Sequence, residues 1–123
     1  MLKLDHLEIS VDSYRASRDF YVRHLGFKLE FELPERRIAA VQDEFDFTLF
    51  LAEHVTAAKP RSCVLTLQVA DVDATYRELC ARGLSFSQPP SRLFWGYGAE
   101  LRDPNDYLLR LWDADSMRTQ GAR

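Results

Sequence analysis

The chain nearly repeats itself, and that repeat limits what it can fold into. Leu7-Glu8-Ile9-Ser10-Val11 returns 58 positions later as Leu65-Thr66-Leu67-Gln68-Val69. Ala39-Ala40-Val41-Gln42-Asp43 returns 60 positions later as Ala99-Glu100-Leu101-Arg102-Asp103, and Asp46-Phe47 returns, again after 60, as Asp106-Tyr107. Self-similarity at a fixed period is the mark of one supersecondary unit used twice. Residues 58 or 60 apart therefore occupy equivalent places in the two halves, which makes the repeat a ruler for site chemistry.

Hydrophobic periodicity supplies the elements. His6 to Val11 alternates polar and apolar, as a half-buried strand does. Asp12 or Ser13 caps a helix running to about His24, with Phe20, Tyr21 and Leu25 as its apolar stripe and Gly26 at the position that wants φ > 0. Phe27 to Leu33 reads as a strand stopped by Pro34, and Arg37 to Gln42 with Phe47 to Ala52 as a hairpin turning through residues 43–46. The second half repeats this order: strand Cys63 to Val69, helix Val72 to Arg82 capped by Asp71 or Asp73 and closed by Gly83, strand Ser85 to Gln88 ending at Pro89-Pro90, then strands Gly98 to Arg102 and Tyr107 to Trp112. Each half is β-α-β-β-β. The organisation is one domain: module 1 over about 2–55, a linker over 54–62, module 2 over about 63–114, and a polar, frayed tail over 115–123.

The strand faces carry different chemistry. One side of the clearest strands (Leu7/Ile9/Val11, Leu49/Leu51, Leu65/Leu67/Val69, Leu109/Leu111) is apolar and must cover the helices. The other side mixes His6, Glu8 and Ser10 with Thr48 and Phe50, and Val64, Thr66 and Gln68 with Leu108, Arg110 and Trp112. A sheet with a merely solvated second face would not gather large aromatics and an arginine there. The pattern points to an α+β fold in which a curved mixed sheet cups a cavity, with helices on the outer face.

Charge and composition narrow the function. A net charge of −3 lacks the concentrated basic face that phosphate backbones require, which argues against nucleic acid. Cys63 and Cys80 are too few for a disulfide framework and read as reduced thiols. No apolar run has the length of a transmembrane helix, and Met1-Leu2-Lys3-Leu4-Asp5 lacks the apolar core of a signal peptide. These features imply a cytoplasmic protein with no membrane partner.

Three stretches carry a resemblance: Leu4-Asp5-His6 leading to Asp19-Phe20-Tyr21 and Leu25-Gly26-Phe27; Thr48-Leu49-Phe50-Leu51; and Phe94-Trp95-Gly96-Tyr97-Gly98-Ala99-Glu100-Leu101-Arg102-Asp103-Pro104. In this order and spacing, over about residues 2 to 114, the chain resembles the vicinal oxygen chelate superfamily, which includes glyoxalase I, extradiol dioxygenases, and fosfomycin and bleomycin resistance proteins. It looks most like the bleomycin resistance branch, whose members bind an antibiotic without modifying it, in grooves at a two-fold dimer interface. The resemblance thus implies a homodimer.

The same resemblance implies where a metal would sit. Metal-dependent members place one ligand on the first strand of each module and one on the last, which here gives His6, Phe50, Val64 and Arg110. The repeat agrees, since Val64 lies 58 positions after His6 and Arg110 lies 60 after Phe50. A divalent cation needs lone pairs, typically from three side chains at a catalytic site. Phenylalanine and valine offer none, and a guanidinium repels the ion. Only His6 is competent, so neither a metal nor another cofactor is expected. His6 with Glu8 and Glu100 is a nonstandard alternative. The plainer reading of His6 is a polar residue satisfied by a neighbouring carboxylate or backbone group, and of His24 a charge partner at a helix end.

Without a metal, the inward residues read as a ligand-binding surface: His6, Glu8, Phe50, Val64, Trp95, Tyr97, Glu100, Arg110 and Trp112. Aromatic faces suit planar or cationic groups, and a few polar groups fix orientation. Arg110 has three readings: an internal pair with Glu8 or Glu100, a bidentate grip on a ligand carboxylate or phosphate, or a solvated charge at the mouth. Trp95 serves a ligand or seals the sheet edge, and Trp112 serves a ligand or a dimer interface. The leading function is metal-free sequestration of an antibiotic-type small molecule, with no catalytic residues. The alternatives are a lyase, isomerase or dioxygenase with a nonstandard site around His6, and a dimerisation or regulatory module with a vestigial cavity.

Overall fold

The computed structural model describes residues 2–54 and 63–121. The chain divides into two compact units, Met1–Pro60 and Arg61–Arg123. Apart from His54, the expected linker lies outside the described residues.

In the first unit, β1 (His6–Val11) leads into α1 (Tyr14–Asp19), which continues as a π-helical turn over Phe20–His24. Then come β2 (Lys28–Leu33), a 3-10 turn at Pro34–Arg36, β3 (Ile38–Gln42) and β4 (Thr48–Glu53). The strands form a mixed sheet in the order β1-β4-β3-β2, with β1 parallel to β4 and the other pairs antiparallel. Ser13 caps α1, its hydroxyl accepting from the Ala16 N–H. Ile9, Val11, Leu49, Leu51, Ala39 and Val41 are buried, as are Tyr14, Phe20 and Tyr21 on the helical segment packed over β3 and β4. Each large side chain so buried contributes about 1.5–3 kcal/mol relative to exposure.

The second unit repeats the plan. β5 (Val64–Gln68), α2 (Val72–Ala81), β6 (Phe86–Leu93), β7 (Gly96–Arg102) and β8 (Leu108–Trp112) give a sheet in the order β5-β8-β7-β6, with β5 parallel to β8. Asp71 caps α2 and Gly83 follows it at φ +96, the counterpart of Gly26 at φ +80. The fold is therefore α+β, built from two βαβββ modules.

Registers show that the repeat is physical. Glu8 pairs with Phe50 in the first sheet and Thr66 with Arg110 in the second, which are shifts of 58 and 60. Asp43 and Asp103, 60 apart, each turn a hairpin by accepting two backbone N–H bonds: from Phe45 and Phe47, and from Asn105 and Tyr107. Asp46 and Asp106, also 60 apart, both take the left-handed conformation, at φ 69 and 68. A further pair was not read from the sequence. At the end of β4, Glu53 accepts from the Tyr14 N–H; at the end of β8, Asp113 accepts from the Val72 N–H. Each carboxylate ties the last strand of its module to the start of its helix, where unsatisfied N–H groups favour negative charge.

The structure corrects three local expectations. The first helix reaches His24 only by widening into the π turn, which inserts one residue relative to α2. The expected break at Pro89-Pro90 does not occur: β6 runs through both prolines as an edge strand with irregular register, where a missing N–H costs no ladder bond. Over its described residues the tail is helical: Asp113 caps a short helix, α3 (Ala114–Ser116), and a π turn follows over Met117–Gly121. The Met117 thioether fills the space over Gly96, where a Cβ would lie 2.2 Å from Sδ. Among the described residues no helix is long and apolar enough to cross a membrane.

Candidate functional site

In the second unit the sheet face opposite α2 holds a compact polar-aromatic assembly. Glu100 on β7 lies directly across from Arg110 on β8, and Arg110 Nε donates to Glu100 Oε2 at 3.1 Å. The same oxygen accepts from the Trp95 indole Nε1 at 2.9 Å. The guanidinium carbon lies 5.3 Å from the Phe94 ring centre and 5.4 Å from that of Trp95, within cation–π range. Of the three readings of Arg110, the pair with Glu100 is formed. It occupies one donor of five, and among the described residues nothing accepts from the terminal nitrogens.

The hairpin that brings Trp95 to this face is particular to the second module. Sixteen positions separate Gly83 from Ala99, against thirteen from Gly26 to Ala39. The surplus lengthens the β6–β7 hairpin, whose tip is Phe94-Trp95. Trp95 folds back over Gly98, where an added Cβ would lie 2.3 Å from the indole and 2.2 Å from the Leu111 carbonyl oxygen. Glycine at 98 is thus what lets the ring lie against the sheet. Phe94 is 91% exposed.

In the first unit the corresponding face carries an aromatic ladder. The His6 ring stacks on Phe50 at 4.2 Å between centres, and Phe31 meets Phe50 edge-on at 5.5 Å. Beside them Thr48 donates to Glu30 at 2.8 Å and accepts from Gln42, while Glu8, in register with Phe50, is exposed. His6 Nδ1 donates to Asp5 at 3.0 Å, the carboxylate partner of the plainer reading. The Glu30–Phe31 contribution escaped the sequence reading because a bulge lies between Leu29 and Phe31. One extra residue turns Phe31 onto the His6 face while Glu32 meets Arg18 of α1.

Of the nine residues singled out in the sequence, His6, Glu8 and Phe50 share the face in the first unit. Trp95, Glu100 and Arg110 assemble in the second, and Val64 and Trp112 lie on that same face by register. Tyr97 does not. It alternates with Gly98, falls on the helix side, and its hydroxyl donates to Asp73 of α2 at 2.7 Å. Burial, together with that carboxylate, pushes the phenol up to about 12. Phe94 and Phe31 are the side chains that sequence reasoning missed.

The donor set does not fit a metal of the kind the resemblance implies. Phe50 and Val64 have no lone pair, Arg110 is a cation, and Glu100 is engaged by two donors on one oxygen. Glu53 is committed to Tyr14 and Arg37. Among the described residues no three His, Cys, Asp or Glu side chains converge.

Comparison with known proteins places the fold in a family. The family described as the Glyoxalase/Bleomycin resistance protein/Dioxygenase superfamily matches residues 3–111. The chain belongs to this superfamily. Among solved structures, the superfamily fold is shared with TnmS3, an antibiotic binding protein from Streptomyces sp. CB03234. It is 27% identical, with 92% of this chain and 96% of that one covered and a TM-score of 0.78. A superfamily member from Sphaerobacter thermophilus DSM 20745 is 24% identical, covering 93% and 98%, with a TM-score of 0.77. TioX from Micromonospora sp. ML1 is 22% identical, covering 89% and 96%, with a TM-score of 0.69. The last two likenesses bear on the fold. No curated protein sequence matches the chain.

Proposed function

We propose that this superfamily member is a binding protein that sequesters a flat, antibiotic-type small molecule without a metal. The observation that carries the reading is the replacement of family metal positions by aromatic and guanidinium groups: Phe50 under His6 in one unit, Arg110 between Phe94 and Trp95 in the other. Apolar rings with a few fixed polar groups are what small-ligand sites are made of. The likeness to TnmS3 supports the same reading. A cytoplasmic homodimer, with the ligand at grooves shared between two copies, belongs to this proposal.

Isothermal titration of protein dialysed against a chelator tests it. Bleomycin-like glycopeptides, mitomycins and quinoxaline-type ligands form the panel. Saturable heat at about one ligand per groove, unchanged by the chelator, is the expected result. Silence across the panel overturns the antibiotic reading. A stoichiometric divalent metal retained by the protein and lost in His6→Ala would replace it with the enzyme reading.

A further inference from the structure

We propose that Arg110 anchors an oxyanion, so that the preferred ligand is a flat aromatic molecule bearing a carboxylate or an ionised phenol. The inference rests on the binding reading and names the ligand class of that same site.

Three features of the second unit carry it. Glu100 takes Arg110 through Nε, the inner edge of the guanidinium, which fixes the plane of the group. Arginine has five N–H donors in a rigid fork, and the four on the terminal nitrogens have no acceptor among the described residues. The side chain is 22% exposed and its unpartnered terminal nitrogens are not sealed from the surface, so a ligand oxygen can reach them. A pair of parallel N–H groups matches the two oxygens of a carboxylate. The fork is flanked by Phe94 and Trp95, whose rings offer flat apolar surface beside the charge.

Glu100 balances the charge of Arg110, so the attraction is local to the fork rather than a field over the whole face. Phosphate esters lacking an aromatic ring would use the fork but leave the rings uncovered, so the aromatic oxyanion is the class favoured.

The test is a matched pair of probes read by quenching of tryptophan fluorescence. The native chain is titrated with 2-naphthoate and with 2-naphthamide, which share a ring system and differ in charge. Native protein is expected to favour the naphthoate by about tenfold or more, the scale of one charge-assisted bond pair. Arg110→Met should abolish that preference, bringing the ratio of the two affinities to about one, and Arg110→Lys, which keeps charge but not the fork, should fall between. Equal affinities for the two probes in native protein, or a preference unchanged in Arg110→Met, overturns the anchor and leaves the binding reading standing. Quenching by neither probe also overturns the anchor, and the antibiotic panel then decides the binding reading separately. Far-UV circular dichroism identifies a variant that has lost its fold, in which case Arg110→Lys alone decides.

Discussion

Removing the Glu100 carboxylate probes the architecture of the candidate site without any knowledge of the ligand. One oxygen of Glu100 holds both the Trp95 indole at 2.9 Å and Arg110 Nε at 3.1 Å, and the paired side chains are 16% and 22% exposed. Glu100→Ala leaves two donors without their acceptor. Fully exposed ion pairs contribute at most about 1 kcal/mol, and breaking a fully buried pair costs about 3–5 kcal/mol. With both groups mostly but not wholly desolvated, the expected loss is about 2 kcal/mol. Because Arg110 is the partner, Arg110→Ala should lose a similar amount, and the double variant should lose less than the sum by about 1 kcal/mol. Urea unfolding, followed by both circular dichroism and tryptophan fluorescence, measures all four corners of the cycle. Additivity within about 0.5 kcal/mol would refute the claim that Glu100 orients Arg110.

Other consequences are as direct. Asp113→Asn leaves one acceptor oxygen where two receive the Val72 and Ser116 N–H groups, and should cost about 2–3 kcal/mol in the same assay. Burial alone would raise the Asp113 carboxyl, but the bonds from Ser116 and Val72 outweigh it and hold the group below its ordinary value. Its stabilisation is therefore full above the unfolded-state value of about 4 and is lost as pH falls through the lower folded value, so the gap between native chain and Asp113→Asn should close only in acid. Gly98→Ala must displace Trp95 or the strand pairing, and is expected to red-shift the tryptophan emission and cost about 2 kcal/mol or more. Tyr97→Phe should leave ligand affinity unchanged while losing about 1 kcal/mol of stability, since its hydroxyl serves Asp73 on the helix side.

Much of this was legible in the sequence because the repeat constrains it twice. The offsets of 58 and 60 make β1 the counterpart of β5 and β4 the counterpart of β8, with Val64 matching His6 and Arg110 matching Phe50, and the strand registers keep those offsets. Caps and helix ends followed from local chemistry, with Ser13, Asp71, Gly26 and Gly83 in the roles their side chains dictate. What escaped was everything that breaks period. The bulge at Glu30 moves Phe31 to the other face, and no alternation count reveals a one-residue slip. Pro89 and Pro90 read as a strand end because edge position, which tolerates them, is a tertiary property. Tyr97 lies before the strand that the sequence predicts over Gly98 to Arg102; the strand begins at Gly96, and the pleat turns the phenol toward α2. The order of the tail's described residues depends on partners far away in sequence, with Asp113 bonded to Val72, 41 positions back, and Met117 packed over Gly96.

Chemical-shift mapping of isotope-labelled protein with the antibiotic panel locates any ligand directly. The Trp95 indole N–H and the Arg110 Nε–H each give a resolved side-chain probe on the proposed face, and both are bonded to Glu100 in the free protein. A binding ligand is expected to shift both signals together with backbone amides of β7 and β8, in the presence of chelator. Shifts confined to helix-side residues such as Asp73 and Arg18, or shifts that appear only when a divalent metal is added, would contradict it.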